Sequence, residues 1–291
     1  MDIAYYPGCT LHTSSRLYDI QTKAVLEALD IRLLELEDWN CCGATSAGKT
    51  DDFMAVALPA RNLGIADAME TGEMVIPCSA CYSRMLVAQE KLKADPGLAQ
   101  EINRELEKTV TGKIRILSIL KVLERTLESG DLKEKAIQTL KGLRPVCYYG
   151  CLQTRFPDEI PAEDDIENPQ IMDRIMRSLG AKPIDWNHKT ACCGASASVN
   201  DTELALDLMG KIMKDALARG ANCFVTSCPM CQLNLDAYQE KIRQSLGIEK
   251  ELPVYFITEM VGLAMGKTIK ELQIDRHIVD SISLLREVSL T

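Results

Sequence analysis

Ten of the twelve cysteines in this chain fall into two sets of five that share one spacing. The first set is Cys9, then Cys41-Cys42-Gly43, then Cys78-x-x-Cys81. The second is Cys151, then Cys192-Cys193-Gly194, then Cys228-x-x-Cys231. Between the cysteine pair and the CxxC lie 35 residues in the first set and 34 in the second. Thiolates are soft ligands suited to zinc or to iron–sulfur clusters. A cubane cluster uses four of them, one per iron. A fifth thiolate at each site is either spare or binds in another way, such as bridging two irons. Either case points beyond passive electron storage.

Other readings use the sulfur less well. Ten cysteines serving only as small buried hydrophobes would not repeat one spacing. Structural zinc accounts for four thiolates per half and leaves one over. A vicinal disulfide at each CysCys pair suits an oxidising compartment. Iron–sulfur clusters fit the pattern best. Cys147 and Cys223 stand outside both sets near strand starts and read as core residues.

The elements that must position these thiolates repeat as well. Each half opens with a short aromatic strand ending in Gly-Cys, residues 3–9 and 146–151. A helix follows, with Leu17, Ile20, Ala24 and Ala28 on one face in the first half. In the second half Ile171, Ile175 and Leu179 do the same, and Gly180 ends the helix. Next come strands at 31–36 and 182–185, then the two CysCysGly turns. Asp38-Trp39-Asn40 and Asp185-Trp186-Asn187 precede those turns and hold the only two tryptophans.

Helices are expected after each turn: one over about 51–70, kinked or bounded by Pro59, and one capped by Asp201. The latter carries Leu204, Leu208 and Ile212 along one face. Buried strands at 74–77 and 224–227 deliver the CxxC motifs, each heading another helix. Strands at 114–117 and 254–257 end before Ser118 and Thr258, placed as helix caps. Alternating strands and helices imply parallel βαβ units. The fold expected is α/β, in two pseudo-repeated halves, each a small parallel sheet flanked by helices. Its cysteine loops lie at the C-terminal strand ends, where the loops of such a fold converge.

A Lys-rich stretch over 130–145 divides the chain into 1–143 and 144–291. Residues 156–169 hold six acids, three prolines and no basic residue. They read as a solvated loop, with a docking or lid element as the alternative. The 291 residues are 46% hydrophobic, enough for a full core without disulfides, and the formal charge of −9 argues against nucleic-acid binding. No apolar run approaches a membrane span; the best, 255–265, contains Glu259. The N-terminus lacks a signal-peptide pattern. The expectation is a soluble, cytoplasmic protein whose thiols are reduced and serve as ligands.

The segments YYPGCTLHTSS (5–15), CCGATSAGK (41–49) and PCSACYSRM (77–85), with the pentad present twice, resemble the cysteine-rich CCG domain family. The likeness is to its heterodisulfide-reducing members and covers essentially the whole chain. It implies two non-cubane [4Fe-4S] clusters. Cys9, Cys41, Cys42, Cys78 and Cys81 would hold the first; Cys151, Cys192, Cys193, Cys228 and Cys231 would hold the second. It also implies that the CoM-S-S-CoB heterodisulfide binds between them and is reduced in two one-electron steps. No ferredoxin-type cysteine run is present, so another polypeptide must donate the electrons.

The resemblance supplies that donor as the C component of a heterodisulfide reductase, which bears cubane [4Fe-4S] clusters and joins a flavin-containing A component. A hydrogenase or formate dehydrogenase stands behind them. Two alternatives remain: a CCG-domain relay subunit of a lactate/glycolate oxidase or fumarate/succinate reductase, and a zinc-stapled assembly protein. The implied substrate is anionic, which makes Arg16, Lys49, Arg84, Arg155 and Lys189 candidate contacts. His12 and His188 lie within four residues of a ligand cysteine and are candidate catalytic proton donors.

Overall fold

A computed structural model describes residues 1–291 except Thr45, Glu249 and Thr291. Thr45, inside the 41–49 segment quoted above, therefore lies outside the described residues. Strands β1 (Asp2–Tyr5), β2 (Arg32–Glu35), β3 (Glu73–Ile76) and β4 (Arg115–Ser118) form a parallel sheet in the order β2-β1-β3-β4. Strands β5 (Pro145–Tyr148), β6 (Cys223–Thr226) and β7 (Val254–Phe256) form a second parallel sheet in the order β5-β6-β7. The expected α/β architecture, with two small parallel sheets flanked by helices, is what the chain adopts.

One expected strand is absent. Residues 182–185 run beside β5 but make only two ladder-like bonds, Lys182 N–H to the Leu143 carbonyl and Ile184 N–H to that of Pro145. Pro183 between them has no N–H and suits only a sheet edge. The next backbone bond is replaced by a side chain: Trp186 Nε1 donates to the Cys147 carbonyl at 3.0 Å. In the first half the equivalent carbonyl, on Tyr5, receives the Leu36 amide at 3.0 Å. The repeat survives in position while the ladder does not.

Two helices present faces other than those expected. In the helix Arg16–Ala28 the fully buried stripe runs through Tyr18, Gln21, Thr22, Val25 and Leu26, while Leu17, Ile20 and Ala24 are half-buried. Gln21 can be buried because its amide donates to Glu259 at 2.7 Å and to the Leu272 carbonyl at 2.6 Å. Paired polar groups are tolerated in a core, and apolar periodicity does not register them. Asp201 does cap the helix Thr202–Ala218, accepting from the Leu204 amide at 3.1 Å. That helix buries Ala205, Met209, Ile212 and Met213, however, and Leu204 is exposed. The helix Met54–Ala68 runs through Pro59 rather than stopping there.

Ser118 caps the helix Ile119–Ser129 as expected. Thr258 is not a cap: its helix, Ile257–Ala264, begins after Phe256, whose N–H is taken by the Glu259 carboxylate at 2.8 Å. The acidic stretch 156–169 is also not a free loop. Phe156 packs edge-on against Tyr82 at 5.8 Å, Ile160 is buried, and Glu163 accepts from the Ser118 amide and hydroxyl. Asp164 caps the next helix, taking the Gln170 and Ile171 amides at 2.6 Å each. This segment straps the second half onto the first, with its remaining acids facing outward.

Among the described residues three apolar clusters fill the interior. Two belong mainly to one half each; Phe256 from β7 joins the one in the first half. The third contains Ile3, Tyr5 and Val25 together with Cys147, Tyr149, Val225 and Tyr255, so the halves share a central core. Cys147 and Cys223 are fully buried, and burial pushes both thiols up, as suits core residues. Among the described residues no helix is long and apolar enough to cross a membrane.

Candidate metal centres

Eight of the ten repeated cysteines follow strand C-termini, and Cys192-Cys193 follow the irregular segment 182–185 that runs beside β5. Cys9 sits in the short helix Gly8–His12 after β1, and Cys41-Cys42 follows β2. Cys78 is the residue before the helix Ser79–Ala94, and Cys81 lies in its first turn. In the second half Cys151 follows β5, and Cys228 and Cys231 hold the same places at the helix Pro229–Ala237. Helix N-termini supply free amides and positive potential, which favour thiolate over thiol.

Each set draws its sulfurs together in the same way. Cys42 Sγ lies 3.3 Å from Cys81 Sγ, and Cys41 Sγ lies 3.7 Å from Cys9 Sγ. Cys193 Sγ lies 3.6 Å from Cys231 Sγ. In each set three cysteines are buried: Cys42, Cys78 and Cys81, then Cys193, Cys228 and Cys231. The others form a mouth, with Cys9, Cys41 and Cys192 exposed and Cys151 half-buried. Each site is therefore a nest with a sulfur floor and a sulfur rim.

The backbone is shaped to leave room at the floor. Gly8 and Gly150, at equivalent places before the lone cysteines, have φ of +74° and +70°. A Cβ on Gly8 would lie 2.9 Å from Cys81 Sγ, and one on Gly150 would lie 2.8 Å from Cys231 Sγ. Two tyrosines brace the loops. Tyr6 donates to the Asn40 carbonyl at 2.8 Å and Tyr148 to the Ala191 carbonyl at 2.6 Å, in each case the residue just before the cysteine pair. A cavity of about 70 Å³ lies within the second nest, walled by Cys151, Cys192, Cys193, Cys228 and Cys231. The donor set and the space suit a compact sulfur-ligated group.

The thiols are poised to ionise unevenly. Hydrogen bonds from Cys41 and Cys81 draw Cys42 down to about 3, with the Arg84 charge adding to them. A hydrogen bond from Cys151 draws Cys192 down to about 6, helped by the Gly194 amide at 3.3 Å and by Arg155. Arg84 and Arg155 thus stand one at each nest. Of the other candidate contacts, Arg16 and Lys49 are exposed, at the start of the helix Arg16–Ala28 and at the short helix Ala47–Thr50.

Lys189 requires correction as a substrate contact. It is buried, with Nζ 3.2 Å from Asp173 and 3.1 Å from the Pro169 carbonyl, so its charge is spent inside the protein. The two histidines mirror one another. His12 Nε2 lies 3.1 Å from Glu35 and its ring packs on Trp39 at 4.9 Å. His188 Nδ1 lies 3.0 Å from Asp215 and its ring lies 6.1 Å from Trp186. Each is held by a carboxylate beside the tryptophan that leads into the cysteine pair.

Three further residues bear on the nests. Tyr18 is fully buried, donates to the Ser227 carbonyl at 2.8 Å, and has its phenol raised by burial and by the charges of Cys228 and Cys78. It therefore stands between the two CxxC motifs. Ser79, inside the first CxxC, donates to Gln153 at 2.9 Å and lines the second nest. No spacing rule marks Tyr18, Ser79 or Gln153, because their roles arise only where the halves meet. Tyr6 and Tyr148 were visible as the Tyr-Tyr that recurs before each Gly-Cys.

A family model described as a cysteine-rich domain, CCG, matches residues 3–85 and again 146–236. The chain belongs to the CCG family. Each match encloses one complete set of five cysteines. The 8-methylmenaquinol:fumarate reductase membrane anchor subunit of Wolinella succinogenes is 31% identical over 97% of this chain and 99% of its own length. The B component of the ferredoxin:CoB-CoM heterodisulfide reductase of Methanosarcina mazei is 27% identical over 98% of this chain and 96% of its own.

A solved structure, a hypothetical protein from Helicobacter pylori, shares the fold with a TM-score of 0.70 at 14% identity. It covers 95% of this chain, which spans 51% of that structure. CCG membership and these reductase relatives place the chain among iron–sulfur oxidoreductase proteins that transfer electrons.

Proposed function

We propose that this chain is the two-cluster redox member of a larger cytoplasmic complex and that it reduces a disulfide of the CoM-S-S-CoB type to two thiols. The observation that carries the reading is the doubling of a complete five-sulfur nest. Each nest is open at its rim, and the two are joined through the Tyr18 contact. Each nest would hold one non-cubane [4Fe-4S] cluster on its five cysteines. Bound there, two clusters supply the two single electrons that S–S cleavage requires.

The protein's own part is positioning. Arg84 and Arg155 give each rim a positive charge for an anionic disulfide, with Arg16 and Lys49 as outer contacts. His12 and His188, each paired with a carboxylate, deliver protons to the departing thiolates. Electrons enter from a C component bearing cubane clusters, itself joined to a flavin-containing A component. The Methanosarcina mazei relative, similar over nearly its whole length, supports this assembly.

A second reading, electron relay within a quinol:fumarate reductase, is favoured by the 31% identity to the Wolinella protein. Protein purified without oxygen and assayed for iron, acid-labile sulfide and zinc separates these readings in one preparation. Turnover of CoM-S-S-CoB with reduced viologen, well above that of cystine, supports disulfide reduction. Clusters that reduce and reoxidise without such turnover leave the relay reading. Zinc without sulfide overturns both.

A further inference from the structure

The first sheet ends in a strand whose outer side is open. Along β2 the amide of Arg32 donates to the Met1 carbonyl and, just past its end, that of Leu36 donates to Tyr5. Backbone direction alternates along a strand, so Leu34 also faces β1, while Leu33 and Glu35 turn their N–H and C=O groups outward. Among the described residues those outward groups have no partner. The opposite edge of the same sheet is covered at Ser118 of β4, whose outward amide goes to Glu163.

The second half closes the equivalent edge. There Lys182 and Ile184 donate to the Leu143 and Pro145 carbonyls, as Arg32 and Leu34 face Met1 and Ile3. Pro183 therefore takes the place of Leu33, and it has no N–H to offer an added strand. One scaffold occurs twice, blunted at this edge in one half and open in the other.

Grooves flank the open edge on both faces. One, of about 460 Å³, lies between β2 and the helix Arg16–Ala28. The other, of about 650 Å³, lies between β2 and the helix Met54–Ala68 and is lined by the partly exposed Leu34, Ile65 and Met69. The other cations along the edge are engaged: Lys23 with Asp19 and Glu35, Arg32 with Asp2, Arg61 with Asp38. Glu27, Glu37 and Glu107 are exposed and pair with no cation among the described residues, and Lys108 alone is left to oppose them. The grooves are therefore apolar at their base and acidic at their rims.

We infer that this edge takes an extended segment of a partner polypeptide as a fifth strand, one in which lysine or arginine alternates with apolar residues. Leu33 and Glu35 bond its backbone, and its alternate side chains enter the two grooves. The apolar ones meet Leu34, Ile65 and Met69, and the basic ones meet Glu27 across the strand, with Glu37 and Glu107 at the rim. Beyond Glu35 the chain runs through Trp39, whose Nε1 donates back to Glu35 at 3.3 Å, to the exposed Cys41. A partner seated on β2 is thus delivered to the mouth of the first nest, whatever that nest holds.

The probe is a synthetic peptide of about eight residues in which valine alternates with lysine; its control alternates valine with glutamate. Amide hydrogen exchange is followed in the full chain. The lysine peptide should slow exchange at Leu33 and Glu35 about tenfold, and added salt should reverse the effect. The glutamate peptide should leave both amides unchanged. Leu33→Pro removes an outward N–H but no bond to β1, and the second half already carries proline at that place. It should fold with little change in circular dichroism and bind the lysine peptide about tenfold more weakly. The double variant Glu27→Lys, Glu37→Lys keeps every backbone group and should weaken binding as far. No slowing, equal slowing by both peptides, or slowing centred on another strand overturns the inference, as does full binding by either variant. So does protection of the two amides that grows with protein concentration without peptide, since a second copy of the chain would then be the occupant.

Discussion

Tyr18 of the first half stacks on Phe256 of the second, with ring centroids 4.0 Å apart and planes 8° from parallel. The same phenol donates to the Ser227 carbonyl, one residue before Cys228. One side chain thus joins the helix Arg16–Ala28 to β7 and to the second CxxC loop. Tyr18→Ala should cost about 3–5 kcal/mol, because it removes a buried aromatic and leaves a cavity. Tyr18→Phe keeps the stack and should cost only about 1–3 kcal/mol for the unpartnered carbonyl. Denaturant unfolding under anaerobic conditions reads both. Equal losses would mean that the hydrogen bond, not the stack, holds the halves together.

The glycines beneath the nests give a test that separates ligand binding from folding. Gly8→Ala and Gly150→Ala each place a methyl group within 3 Å of a cysteine sulfur, that of Cys81 or of Cys231, and force an L-residue to positive φ. Each variant should fold, because the change lies at the turn that leaves a strand and not within the strand, yet lose the group from its own nest. The expected result is about half the wild-type iron and sulfide in either variant, with circular dichroism little changed. Full iron content in both would show that the nests are wider than the structure indicates.

Lys189 offers the opposite case, a charge near the second cysteine pair whose effect is on stability. Its ammonium and the Asp173 carboxylate are both buried, and Asp173 also accepts from the Tyr149 hydroxyl at 2.8 Å. Removing one partner of a buried pair leaves an uncompensated charge, at a cost of about 3–5 kcal/mol. Lys189→Met should lower the unfolding free energy by that amount while the cluster spectra keep their shape. Normal stability with altered spectra would return Lys189 to the site.

Much of this was legible in the sequence because it rests on local rules. The cysteine spacing, the Gly-Cys turns, the Asp201 and Ser118 caps and the parallel pairing of the strands all follow from patterns within one element or its neighbour. What escaped depends on contacts between elements. Gln21 lies on a buried face only because Glu259, more than two hundred residues away, takes its amide. Lys189 reads as a surface charge until Asp173 is placed against it. The strand over 182–185 looked sound by position, yet Pro183 and the Trp186 indole replace part of its ladder. The acidic stretch 156–169 looked solvated, since nothing in its composition shows Glu163 reaching Ser118.

The Glu259–His277 pair gives the fold a pH dependence of known sign. His277 Nε2 lies 2.8 Å from the Glu259 carboxylate, and both side chains are wholly buried. Burial opposes the charge on the ring, but the adjacent carboxylate outweighs it and raises the pKa above the ordinary 6.5. A ring that binds its proton more tightly when folded contributes stability in full below the unfolded value. That contribution fades as pH rises through the folded value. His277→Gln cannot carry the charge. Its midpoint should therefore fall furthest below wild type near about pH 6, and the gap should narrow toward about pH 9. Calorimetry of both proteins across that range reads the difference directly. A gap that stays constant would mean that the ring is neutral throughout and that Glu259 is held by Gln21 and the Phe256 amide alone.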